Sequence, residues 1–229
     1  MKIPLPTVKV RMVFKIINRF IFIMTFADFL IIFGFGLIAP ILAVYFTRQI
    51  RGGTLEVVGF SSMIFFIMTA LFRIPIAKAI DKNRAEYDDF YVTFAGYLLL
   101  AVIPFIYIFI SKPIHLYLTE ALHGLANSMA YPGWMALFTR HIDKGKEGFG
   151  WSFYSTVANV GAAAGAAFGG MAAQRMGFHF LFVAVGCFAL VGAFCFLLNR
   201  RAIITKGHVP EVLRKEKVVS DKVESIEKG

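Results

Sequence analysis

Long apolar runs alternate with short polar breaks along this chain. Apolar stretches cover residues 20–46, 56–77, 90–111, 113–139, 149–174 and 178–199. Crossing the hydrocarbon core of a bilayer takes about 20 helical residues, and each run reaches that length. Helices are the expected form, because lipid leaves no partner for an unpaired backbone N–H or C=O. The strict alternation of a membrane barrel is absent. The expected fold is therefore an all-α membrane protein with six transmembrane helices over 20–199. A cytoplasmic N-terminal arm over 1–19 and a polar cytoplasmic tail over 200–229 flank it.

The breaks carry turn chemistry. Arg51-Gly52-Gly53 separates the first two runs, and Asp81 to Asp89 the next two. Ser111-Lys112-Pro113 predicts a tight turn, with Pro113 at a helix start, where its missing N–H costs nothing. His141 to Gly148 and Arg175-Met176-Gly177 make the last two breaks. The first run is too long for a signal-peptide core and has no clean small-residue cleavage site after it.

Composition agrees with a lipid environment. Of the 229 residues 58% are hydrophobic and 17% charged, and Phe occurs 26 times. Soluble domains carry about 45–50% apolar and about 25% charged residues. The net charge of +10 raises nucleic acid as a partner. The charge is distributed between apolar runs and in the tail, so it sets membrane orientation instead, and no nucleic-acid partner is expected. Nineteen Lys and Arg fall on the side of the arm, the second and fourth loops and the tail. Arg48, Arg51, Lys112 and Arg175 fall on the other, and Arg73 has no assigned side. Both termini are thus expected in the cytoplasm of a cell-membrane protein. Cys187 and Cys195 lack ligand-spaced partners and read as small buried packing residues, with no metal site.

Ionisable residues inside apolar runs are costly and face a partner or a cavity. Asp28 lies nine residues past Arg19, about 13 Å inward at 1.5 Å per residue. Glu120 lies in the fourth run, at a different depth, so the two carboxylates are not expected to pair. At 100° per residue Glu120, His123, Asn127 and Tyr131 share a helix face with Gly124. That stripe is either a cavity wall for solute or protons or a set of interhelical hydrogen bonds. In the fifth run Gly161, Gly165, Gly169 and Gly170 read as close helix packing.

These features resemble the N-terminal six-helix half of the major facilitator superfamily. Gly36-Leu37-Ile38-Ala39-Pro40 is similar to the family's first-helix pattern, with Ala43 where many members have a second Pro. Pro75 to Lys82 resembles the loop motif after the second helix, with Ala77 in place of its Gly and Asp81-Lys82 in place. In the fourth helix Glu120 stands where the family usually places an Arg, four residues before Gly124. Ser152, Gly161, Gly165-Ala166 and Gly169-Gly170 resemble the fifth-helix exchanger motif without its Pro. The resemblance covers residues 20–199, or half of a major-facilitator-type bundle.

It implies transport of a small solute by alternating access, with a latch role for Asp81. The family binds substrate between two halves, so three readings stay open. The chain pairs with itself as a homodimer, pairs with a separately encoded second half, or is a truncated, non-transporting membrane interaction protein. No phosphate-binding loop occurs, so a gradient would supply the energy, with Asp28 or Glu120 as proton site. No cofactor is expected. A membrane enzyme is disfavoured, because His115 and His123 flank Glu120 without an HExxH or GxSxG pattern.

Overall fold

The computed structural model describes residues 18–83 and 86–200. Apart from Asn18, Arg19 and Arg200, the expected arm and tail lie outside these residues, as do Arg84 and Ala85. The described residues form helices α1 Arg19–Ile38, α2 Leu42–Gln49, α3 Leu55–Asn83, α4 Glu86–Tyr107, α5 Pro113–His141 and α6 Glu147–Leu198.

The helix ends follow from local chemistry. The Asn18 carboxamide oxygen accepts from Phe20 N–H at 3.1 Å and caps α1. The expected single span over 20–46 is instead divided at residues 39–41 into α1 and α2. Pro40 has no N–H to offer the carbonyl four residues back. Pro113 opens α5 as expected. Asp81 to Asp89 is not a loop of that length. α3 runs on to Asn83, and Glu86, Asp88 and Asp89 form the first turn of α4. Acidic side chains favour the positive end of a helix dipole, which explains why a charged stretch is helical here. α4 accordingly starts and ends about four residues before the expected 90–111.

α6 is broken at Gly177, whose φ of 80° and ψ of 169° are non-helical and suit a residue without Cβ. Neighbouring contacts show that the chain reverses there. A Cβ on Gly161 would meet Phe29, one on Gly165 would meet Phe33 and Gly36, and one on Gly169 would meet Leu37, so arm 147–176 runs parallel to α1. A Cβ on Gly34 would meet Val185 and Phe188, and one on Gly192 would meet Ala27 and Leu30, so arm 178–198 runs antiparallel to it. By the same test α5 runs antiparallel to α4 through Gly96 and Gly133, and the contacts Phe65 with His123, Thr69 with Gly124 and Arg73 with Asn127 make it parallel to α3. The result is a bundle of alternating rods with α1 wedged between the two arms of α6.

Among the described residues, α1, α3, α4 and α6 are long and apolar enough to cross a membrane. α5 has 29 residues, about 43 Å of helix, but carries the polar stripe. Two apolar clusters hold the rods together. One gathers Met24, Phe90, Phe138 and Phe196 toward the ends of the rods nearest residues 19 and 141. The other gathers Tyr45, Tyr107, Leu116 and Phe182 toward the opposite ends. α3 stands apart, leaning on α5 with Phe60, Met63, Phe66, Ile67, Leu71 and Ile74 exposed. Two packing expectations need correction. Cys187 is exposed, because its side of arm 178–198 faces away from α1. Gly170 has nothing within 4 Å of a Cβ position, since one step of 100° turns it off the seam that Gly169 occupies.

Candidate functional site

A cavity of about 320 Å³ opens against the first apolar cluster, which supplies Ile31, Tyr97, Leu100, Ala130 and Trp134 to its wall, with Asp28 beside them. α1 contributes Asp28, Ile31, Ile32 and Phe35, and α5 contributes His123, Asn127, Ala130, Tyr131 and Trp134. α4 adds Tyr97 and Leu100, and α6 adds Tyr154. Asp28, His123, Asn127 and Tyr131 are thus brought together from the sequence-predicted set. The helical period explains the last three, which recur on one face of α5.

Each oxygen of Asp28 has its own phenol. Tyr97 donates to Oδ1 at 2.9 Å, and Tyr154 donates to Oδ2 at 2.7 Å. The carboxylate therefore links α1, α4 and α6. A carboxylate oxygen accepts about two hydrogen bonds, so one acceptor position on each remains for a solute or a proton.

Glu120 is buried next to the cavity and is not part of its wall. Its Oε1 accepts from the Tyr107 hydroxyl at 2.5 Å, and its Oε2 lies 3.3 Å from His123 Nδ1. Its partners are thus different side chains from those of Asp28. The His123 ring stacks on Phe35 at 5.4 Å between centroids and tilts against Phe65 at 4.6 Å. His123 thus joins the buried Glu120 to the cavity surface.

Arg73, which the sequence leaves without a role, supports the same wall from α3. Its Nη2 donates to Asn127 Oδ1 at 2.7 Å, and its guanidinium lies 4.5 Å over the Tyr131 ring. Its position inside an apolar run was the available signal, since such a charge requires a partner. Tyr97, Tyr107 and Tyr154 gave no comparable signal.

Asp81 and Lys82, in the loop motif, are exposed at the last turn of α3 and do not line the cavity. At the same end of the bundle the Arg140 guanidinium pairs with the buried Asp89 carboxylate. Phe20 stacks on His141 at 3.6 Å. This polar closure joins α1, α4 and α5. Gly161, Gly165 and Gly169 act away from the cavity, in the seam between α1 and arm 147–176. No group of three or more His, Cys, Asp or Glu suited to a metal occurs among the described residues.

The sequence model of the Major Facilitator Superfamily matches residues 24–223. No curated protein matches the chain significantly.

Proposed function

The chain belongs to the major facilitator superfamily, whose members are membrane transporters and not enzymes, and we propose that it moves a small solute by alternating access through the Asp28 cavity. Family membership and the apolar helices make it a multi-pass membrane protein of the transporter type. The proposed route runs through this cavity, with the packed side chains toward each end of the rods closing in turn. The bundle then crosses the cell membrane six times. Both termini are cytoplasmic, because nineteen of the assigned basic residues favour that side.

A second six-helix unit, either another copy or a separately encoded half, completes the cavity. Support comes from the exposed apolar face of α3 and from Val160 and Phe168 on arm 147–176, which are 59% and 56% exposed. Transporters of this class place substrate near the midplane, between repeats.

The observation that carries the reading is Asp28 itself, a carboxylate inside an apolar helix, held by two hydroxyls and open to a cavity. Such a group in a membrane interior is a proton or solute site by default. A proton gradient is the proposed energy source, with Asp28 binding and releasing the proton. Glu120 is the secondary proton group, reaching the cavity through His123.

The test is flux of a solute panel into proteoliposomes under an imposed pH gradient. Asp28→Asn keeps shape and removes the charge, so gradient-driven uptake collapses. Glu120→Gln changes uptake in the same direction. Normal rates and normal pH dependence in both variants would make the carboxylates structural and end the proton-coupled reading.

A further inference from the structure

We infer that the Asp28 cavity selects an organic monocation, an ammonium group carried on an apolar body. The inference rests on the transport reading of the same cavity and names the chemical class of its solute.

The wall is aromatic around a single carboxylate. Phe35, Tyr97, Tyr131, Trp134 and Tyr154 line the cavity, and Asp28 is the one acid among its lining residues. Among the described residues no Lys or Arg lines it. A cation over an aromatic face is attracted by the ring quadrupole, most strongly by Trp, and more so where water is excluded. An anionic solute would meet the like charge of the Asp28 carboxylate in the wall. A neutral sugar-like solute needs many hydrogen-bonding groups, and here the wall is mostly aromatic and aliphatic side chains.

The polar groups nearby are already engaged in ways that suit a cation. Tyr97 and Tyr154 direct their hydroxyl hydrogens at Asp28, so their rings stand beside the carboxylate. A solute cation there meets a negative charge with aromatic rings around it. His123 Nδ1 is turned to Glu120. Asn127 Oδ1 is occupied by Arg73, and the Arg73 guanidinium is spread over Tyr131. The fixed positive charge is thereby engaged at Asn127 and Tyr131 and is not among the lining groups. The cavity volume of about 320 Å³ falls at the small end of ligand sites, which restricts this half of the site to a small amine.

Binding is read from quenching of intrinsic tryptophan fluorescence in the purified full chain. The chain has two Trp. Trp134 lines the cavity, and Trp151 lies 6.2 Å from it between ring centroids. The probe is benzyltrimethylammonium, compared with phenylmethanesulfonate as anion and N,N-dimethylbenzamide as neutral body. The para-carboxylated cation serves as zwitterion.

Saturable quenching by the cation alone is the expected result. Asp28→Asn weakens it by about tenfold or more, the effect of losing one buried counter-charge, while Asp28→Glu retains it. Each variant is scored only when it elutes as a monodisperse peak, and the Asp28→Glu result stands if the Asn form does not fold. Equal quenching by all four compounds, preference for the anion or the zwitterion, or unchanged affinity in Asp28→Asn would overturn the inference. Flux of another solute without cation binding leaves transport standing and removes the cation class. Cation binding in detergent without flux in vesicles does the reverse.

Discussion

Replacing Gly165 with Ala tests whether the seam between α1 and α6 positions the cavity. A Cβ at Gly165 would lie 2.5 Å from Phe33 O and 3.0 Å from Gly36 Cα, both backbone atoms that no rotamer change can move. Ordinary contact begins at 3.4 Å, so the helices part by about 0.9 Å. A gap of that size forfeits about a quarter to a half of each contact's attraction. The cost expected for such overpacking is about 1–3 kcal/mol.

The same shift carries Tyr154 away from Asp28. Their hydrogen bond, 2.7 Å long, is weakened to the extent that the parting reaches Tyr154. Gly170→Ala is the matched control, because a Cβ there meets nothing within 4 Å. Both substitutions gain the roughly 1 kcal/mol helix preference of Ala over Gly, so that term cancels in the comparison. Thermal unfolding in detergent is expected to place Gly165→Ala below Gly170→Ala by about 2–12 °C, using about 2–4 °C per kcal/mol for chains of this size. Equal midpoints for the two variants would refute the close-packed seam.

Two further outcomes follow from the sidedness and the α3 wall. With Cys187 and Cys195 replaced by Ala, Lys112→Cys is labelled by an impermeant thiol reagent from outside intact cells and Lys144→Cys is not; the opposite pattern reverses the orientation. Arg73→Ala removes the charged hydrogen bond to Asn127 and costs about 1.5–3 kcal/mol of stability, read as a lowered unfolding midpoint. Arg73→Lys fails to restore it, since an ammonium has no plane to lay on Tyr131, and full rescue by Lys would show that the stacking contributes nothing.

The stripe on α5 was legible in the sequence because His123, Asn127 and Tyr131 belong to one helix, and the 100° step fixes their common face. The glycine seam was legible for the same reason at Gly161, Gly165 and Gly169. Gly170 was misread because adjacency in sequence is a 100° rotation in a helix. The tyrosines that hold Asp28 were not legible. They are 69 and 126 residues away, and which helix faces α1 at which height is set by packing between rods. Asp89 was hidden differently. In sequence it reads as part of a polar loop, while its burial depends on Arg140, 51 residues later.

The remoteness of those tyrosines bears on how the chain enters the bilayer. α1 contains thirteen Phe, Ile and Leu residues, worth about 4–8 kcal/mol in favour of insertion. That exceeds the roughly 3 kcal/mol that an Asp costs at the centre of a helix, so α1 can insert before its partners exist. Tyr154 follows Asp28 by 126 residues. At about 5–20 residues per second, the ribosome needs roughly 6–25 s to deliver it. For that interval the acid in α1 has no phenol from α6, and the newborn helix depends on water, lipid headgroups or the insertion machinery to shelter it. Asp28 thus makes the nascent protein most vulnerable during synthesis, at the same residue around which the finished cavity is built.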